Sequence, residues 1–284
     1  MRIQLRPCCL ANEPIRGVQN PGVKANVMKY KNQGKRDRLR KGIFILPNLF
    51  TSFNIFCGFY AIISTIDGKF VMGAVAIIVA AVFDILDGKI ARATNTTSKF
   101  GIEFDSLADV ISFGVAPALL MYTWTLRPFG RIGWLAAFLF MVCGALRLAR
   151  FNTQTGTISS DYFVGLPIPA AAGFAATTLL FHNRLGVLNA PQSILVLALI
   201  YLLSFLMVSN IKYYSFKRPE LFKRGNFNFL VATILIMIFI ASQPPVALFF
   251  MGLIYVVSGP VHHLWRVKTA QTREHDLAKD SEKL

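Results

Sequence analysis

Residues 84–109 read Asp84-Ile-Leu-Asp87-Gly88-Lys-Ile-Ala91-Arg92-Ala-Thr-Asn-Thr-Thr-Ser-Lys-Phe-Gly101-Ile-Glu-Phe-Asp105-Ser-Leu-Ala-Asp109. On a helix turning about 100° per residue, Asp84, Asp87, Gly88, Ala91 and Arg92 occupy an arc of about 140°. Gly101, Asp105, Asp109 and Ser112 fall within about 80° of one another on a following helix. The polar run from Ala93 to Phe100, rich in Thr, Asn and Ser, suits a turn and a helix cap. The stretch therefore predicts a helical hairpin that sets four carboxylates opposite one another.

Its surroundings are apolar. Of the 284 residues, 54% are hydrophobic and 15% charged, which excludes both a water-soluble single core and disorder. Cys8, Cys9, Cys57 and Cys143 show neither disulfide nor metal-site spacing. A bilayer core of about 30 Å needs about 20 apolar residues of helix. Such stretches recur at about 47–66, 70–92, 104–124, 132–150, 167–182, 191–210, 227–242 and 245–263, the fifth and seventh being short. The expected fold is an all-α integral membrane protein of about eight transmembrane helices.

Orientation follows from the basic residues, which cytoplasmic loops retain. With the N-terminus inside, 26 of the 30 Lys and Arg fall on one side, and only Lys69, Arg127, Arg131 and Arg184 on the other. Both termini and the hairpin turn are then cytoplasmic. Residues 1–46 carry eleven basic and two acidic side chains; without an early apolar core or a cleavage site they read as a basic tail with an interfacial stretch, Lys35 to Lys41. This charge is expected to face anionic membrane lipids. No folded soluble module displays it beside aromatic readers, so nucleic acid is not an expected partner.

Only eight acidic residues lie between 47 and 263, and the hairpin holds four of the aspartates. Carboxylates at membrane depth are costly and mark function. Four converging in a partly dry site repel unless cations lie between them. All-oxygen ligation favours Mg²⁺, Mn²⁺ or Ca²⁺, and two ions about 3.5–4 Å apart are the usual apparatus for displacement at phosphorus. Gly88 and Gly101 leave room for a bulky ligand, and Arg92 offers a fork for phosphate oxygens. The structural alternative pairs Asp84 and Asp87 with Lys89, Arg92 or Arg147 as inter-helix glue.

The pattern Asp-x2-Asp-Gly-x2-Ala-Arg-x8-Gly-x3-Asp-x3-Asp resembles the signature of the CDP-alcohol phosphatidyltransferase family at every fixed position. The resemblance implies a six-helix core over 47–210 around a polar cavity open to the cytoplasm. It further implies that Asp84, Asp87, Asp105 and Asp109 bind two Mg²⁺ or Mn²⁺ ions, that Asp109 is also the catalytic base, and that Gly88, Ala91, Arg92 and Gly101 meet the CDP moiety. The reaction implied is attack of an alcohol on the phosphorus of CDP-diacylglycerol, with CMP departing.

Further segments resemble the bacterial, serine-using members of the family: Leu46-Pro-Asn-Leu-Phe-Thr-Ser-Phe-Asn54, residues 105–117, 147–152, 165–173 and 208–217. They bring in Asn48, Thr51 and Asn54 as substrate contacts and imply L-serine as acceptor and a bacterial inner membrane. Members that use glycerol 3-phosphate typically carry arginine where this chain has Asn54; a zwitterionic acceptor does not need that cation. Glycerol 3-phosphate or choline is the alternative acceptor, and a divalent-cation transporter the alternative class. Arg147 and Arg150, one turn apart, are expected either at the serine carboxylate or donor phosphate, or snorkelling to headgroups. Asn152, Ser209, Asn210 and Lys212 are further cavity candidates, whereas Tyr213 and Tyr214 suit an aromatic belt. Pro167 and Pro169 suit the entry of the fifth span. His182, His262, His263 and His275 have no matching ligands nearby. Beyond the core lie a basic loop at 211–226, two spans over 227–263 on the flank of the core, where a homodimer interface is one use for them, and a cytoplasmic tail at 264–284.

Overall fold

In the computed structural model the described residues are 46–94, 98–154, 162–186, 194–214, 231 and 242–281. All of them belong to one unit, Phe44–Leu284. The basic tail at 1–46, apart from Leu46 itself, lies outside them, as do most of the loop at 211–226 and most of the expected span at 227–242.

The described chain is almost wholly helical. Its elements are α1 (Leu46–Ile66), α2 (Phe70–Ala93), α3 (Lys99–Phe129), α4 (Arg131–Gln154), β1 (Tyr162–Val164), α5 (Ile168–Leu185), α6 (Ile194–Val208), β2 (Lys212–Tyr214) and α7 (Pro244–Ser281). Five of the described helices are long and apolar enough to cross a membrane: α1 to α4, and α7 over Pro244–His262. The fifth expected span, α5, ends in His182, Asn183 and Arg184, which lower its apolar character, and α6 has 15 residues. α7 continues beyond the eighth expected span, so the segment assigned to the tail is helical through Ser281.

Local chemistry sets these ends. The Ser98 side chain accepts a hydrogen bond from the Gly101 amide at 2.9 Å, capping α3 as the polar run suggested. Pro167 is the N-cap of α5 and Pro169 lies in its first turn, where a missing N–H costs nothing. After Asp109, α3 widens to π-helical geometry over Val110–Val115 and again over Tyr122–Leu126. Such turns are common at functional sites.

Small residues dominate the interior: Ala61, Ala74, Ala80, Ala116, Ala136, Ala171, Ala172, Ala175 and Ala176 are fully buried. In lipid, close backbone approach replaces hydrophobic contrast as the source of helix association. α4 packs on α6, α2 on α5, and α5 on α7. Large apolar side chains such as Phe56, Phe59, Ile66, Leu195 and Phe205 point outward. The flanking position expected for the eighth span is visible in Phe249, which stacks on Phe174 and Phe181 of α5 at 5.4 and 4.3 Å between centroids.

The two strands were not anticipated. Tyr162–Val164 and Lys212–Tyr214 form one antiparallel ribbon, and Tyr213 is completely buried rather than lying in an aromatic belt. Its ring packs on Tyr255 of α7 at 5.7 Å.

Candidate active site

The hairpin between α2 and α3 draws three of its carboxylates together. Asp84, Asp105 and Asp109 each offer an oxygen within 4.8 Å of the others. Asp87 is not one of this trio; Thr51 Oγ1 lies 3.1 Å from Asp87 Oδ2 and 3.2 Å from the Pro47 carbonyl, one proton between two acceptors. Asp87 and Asp109 are both buried.

The inter-helix glue alternative fails on geometry. Among the described residues the one Lys or Arg within ion-pair distance of a carboxylate is Lys69, and its partner is Asp67. Arg92 turns back along its own helix, Nε donating to the Gly88 carbonyl at 2.8 Å. Among the described side chains, the negative charge of the trio therefore has no Lys or Arg within ion-pair distance. In addition, Asp105 Oδ1 and Asn54 Oδ1 are buried without a hydrogen-bond partner. Orphaned oxygens of this kind require an explanation, and an all-oxygen donor set suits a hard divalent cation. The residues present thus fit the metal that the sequence suggested.

α1 closes the site from the other side. Asn54 Nδ2 donates to Asp109 Oδ1 at 3.5 Å, and the Asn54 carbonyl accepts from Ser112 Oγ at 3.0 Å. The approach depends on Gly58, one turn further along α1: a Cβ there would collide with Ser112 Oγ and lie 2.8 Å from its Cα. Gly58 went unnoticed in the sequence, although its i+4 spacing from Asn54 was a usable signal.

Between α1, α2 and α3 lies a cavity of about 220 Å³, lined by Pro47, Asn48, Thr51, Asp87, Gly88, Ala91, Arg92, Ser98, Gly101, Ile102 and Asp105. A Cβ at Gly88 would meet only Arg92 Nη2, at 3.7 Å, so packing within the protein does not demand glycine there and the missing side chain leaves cavity open. Gly101 is more confined, its Cβ position being 3.2 Å from Ser98 Oγ and 3.5 Å from Asn48 Oδ1.

The two arginines of α4 separate in their contacts. Arg147 is half-buried, and its Nε has no hydrogen-bond acceptor. Arg150 Nη2 donates to Asn210 Oδ1 at 2.8 Å, tying α4 to the segment before β2. Asn152 Nδ2 donates to Ser106 Oγ on α3 at 2.9 Å, while Ser209 Oγ bonds back to the Leu206 carbonyl. The Lys212 side chain lies outside the description. His182 stacks edge-on against Trp124, remote in the chain from the carboxylates.

A family model described as CDP-alcohol phosphatidyltransferase matches residues 44–208. The CDP-diacylglycerol–serine O-phosphatidyltransferase of Helicobacter pylori is 43% identical over 224 residues, covering 78% of this chain and 92% of the relative. The archaetidylserine synthase of Methanothermobacter thermautotrophicus is 38% identical over 181 residues, 62% of this chain and 72% of its own. The CDP-diacylglycerol–serine O-phosphatidyltransferase of Methanocaldococcus jannaschii is 38% identical over 172 residues, 60% and 74% respectively.

Proposed function

The chain belongs to the CDP-alcohol phosphatidyltransferase family, and from that premise we propose that it transfers the phosphatidyl group of CDP-diacylglycerol to the hydroxyl of L-serine, giving phosphatidylserine and CMP. The observation that carries the reading is a carboxylate trio with no Lys or Arg within ion-pair distance among the described side chains, beside a cavity bordered by Gly88 and Arg92.

A cavity of about 220 Å³ is below the roughly 300–1,000 Å³ of pockets that enclose a whole drug-sized ligand. It takes the polar headpiece of the donor, while the acyl chains stay against the apolar exterior, where Phe100 and Leu107 are exposed. Gly88 and Ala91 let the nucleotide approach the backbone of α2, and Asn48 and Thr51 offer it hydrogen-bonding groups. Asp84, Asp105 and Asp109 would hold one divalent ion, Mg²⁺ or Mn²⁺, and Asp87 with Asp105 a second. Such ions neutralise a pyrophosphate and stabilise charge growing on the departing phosphate.

Asp109 takes the proton of the acceptor hydroxyl as its oxygen bonds to the phosphorus bearing the diacylglycerol. The bond from that phosphorus to the CMP oxygen breaks, CMP keeps the electron pair, and Arg92 meets the charge. The Asn54 amide orients Asp109 through the oxygen it contacts. Arg147 offers the serine carboxylate a guanidinium fork. Asn54, being neutral, suits a zwitterionic acceptor.

The protein is multi-pass; the distribution of Lys and Arg supports a site on the cytoplasmic face, and its bacterial relative an inner-membrane location. Residues 47–210 form the catalytic core in this reading, and the flanking segments are accessory. Purified protein in detergent with CDP-diacylglycerol, Mn²⁺ or Mg²⁺ and one alcohol at a time tests it by CMP release. Release with L-serine supports the reading. Release with glycerol 3-phosphate or choline but not serine overturns the acceptor, and ion uptake by vesicles without any CMP release overturns the reaction.

A further inference from the structure

Asp105 Oδ1 is buried without a hydrogen-bond partner, so nothing at that oxygen fixes the carboxylate, and its direction depends on the backbone of α3. That backbone leaves regular helical geometry at Val110, and the stretch before it exposes Phe100, Ile102 and Leu107. A helix end of this kind holds its bearing only with support from the side. α4 supplies it. α4 packs along Val110–Val115, and its last turn reaches further, Asn152 Nδ2 donating to Ser106 Oγ at 2.9 Å. Ser106 Oγ passes its own proton to the Ile102 carbonyl at 3.0 Å. Ser106 follows Asp105 directly in the chain, and Ile102 and Asp105 both border the cavity. The residues bordering that cavity do not include Asn152; its amide serves α3 instead.

The end of α4 is braced in turn. Arg150, two residues earlier and so on the opposite side of the helix, donates from Nη2 to Asn210 Oδ1 at 2.8 Å. Asn210 leads into β2, where the Tyr213 hydroxyl donates to the Val256 carbonyl of α7 at 3.2 Å. That carbonyl is open to it because Pro260, four residues on, has no N–H. Gly259 permits the contact, since a Cβ there would run into the Tyr213 ring.

We propose that Asn152 is a positioning residue for the metal site: through Ser106 it fixes the turn of α3 that aims Asp105 into the trio. The inference rests on the reading of the trio as the seat of a divalent ion. Oxygens of Asp84, Asp105 and Asp109 lie within 4.8 Å of one another, and like charges at such range drive α2 and α3 apart before an ion arrives. A restraint on α3 from α4 opposes that spreading. A bond between an amide and a hydroxyl supplies it without a formal charge, whereas a Lys or Arg in the same place would compete with the ion for the carboxylates.

Asn152→Ala removes the donor and Ser106→Ala the acceptor. Mn²⁺ binding to the purified protein is titrated by the electron paramagnetic resonance signal of the free ion, and melting is followed in metal-free detergent. Losing one hydrogen bond should raise the Mn²⁺ Kd about fivefold to tenfold in either variant. On the Ser106→Ala background, Asn152→Ala should add less than about twofold, because residues in contact are not additive. Tyr201→Phe is the control for general loosening: it removes a bond of the same kind at the other end of α4, where the Tyr201 hydroxyl donates to the Ile132 carbonyl at 3.1 Å. It should lower the melting temperature as much as Asn152→Ala does, with the Mn²⁺ Kd within about twofold of wild type. The proposal is overturned by an unchanged Kd in Asn152→Ala, by an equal rise in Tyr201→Phe, or by the full effect of Asn152→Ala on the Ser106→Ala background. Wild-type protein that takes up no Mn²⁺ refutes the metal reading and this inference with it, whereas wild type and Asn152→Ala binding Mn²⁺ equally well refutes the inference alone.

Discussion

Asp109→Asn separates chemistry from folding. The substitution is nearly isosteric and removes one charge from the trio. The oxygens lie within 4.8 Å of one another, and at that limit each fully ionised pair repels by about 3.5 kcal/mol at an effective dielectric of about 20. Removing the Asp109 charge relieves two such pairs; this is an upper figure, because the helix ends can part. In metal-free detergent solution the variant should therefore melt several degrees higher than wild type. Turnover should fall by about 10²–10⁴, the usual contribution of a general base, equivalent to about 2.7–5.4 kcal/mol of barrier. A ligand at a hundred times its Kd stabilises a folded protein by about 2.7 kcal/mol, and the variant should lose most of the stabilisation that Mn²⁺ gives wild type. The assay pairs CMP release with thermal melting, with and without Mn²⁺. Turnover above a tenth of wild type, or a metal-free melting temperature several degrees lower, would refute the reasoning: the carboxylate would then be dispensable for chemistry or needed for the fold.

Three further outcomes are expected. Gly88→Ala places a methyl group in the cavity 3.7 Å from Arg92 Nη2, so the protein should fold normally while its KM for CDP-diacylglycerol rises about tenfold, the cost of roughly 1.4 kcal/mol of lost binding. Gly58→Ala forces α1 off Ser112 and should cost about 1–3 kcal/mol of stability by overpacking, together with a large drop in turnover as Asn54 leaves Asp109; normal melting with normal activity would contradict the role given to that helix contact. Burial pushes the Tyr213 phenol above its ordinary value. The neutral phenol is the form that donates to Val256, so its contribution is complete below about pH 10, the value of an unperturbed phenol, and is lost as pH rises further towards the folded-state value. Tyr213→Phe should cost about 1–3 kcal/mol at neutral pH, and its melting temperature should fall less steeply than that of wild type in alkaline buffer.

The carboxylate hairpin was legible because all its parts lie within 26 residues, where helical periodicity converts spacing directly into a shared face. The hydrogen bond that Asp87 receives was not: it comes from Thr51, 36 positions away on α1. Among the described residues, five of the expected spans were readable from apolar length, whereas Arg184 and its neighbours close α5 with polar side chains and α6 is 15 residues long. The ribbon of β1 and β2 escaped because each strand is three residues long and its partner lies about fifty positions away, with no local pattern to announce it. Tyr213 therefore read as a surface aromatic.

Ile102 borders the cavity and is also half exposed on the outer face of α3, with Phe100 and Leu107 exposed on the same helix. In the reaction proposed above the donor is a membrane lipid, so its encounters with the site take place in two dimensions. For that substrate the governing quantity is mole fraction among the surrounding amphiphiles. Diluting the donor with inert lipid slows the enzyme even when the amount per millilitre is held constant, whereas the water-soluble acceptor follows ordinary molarity.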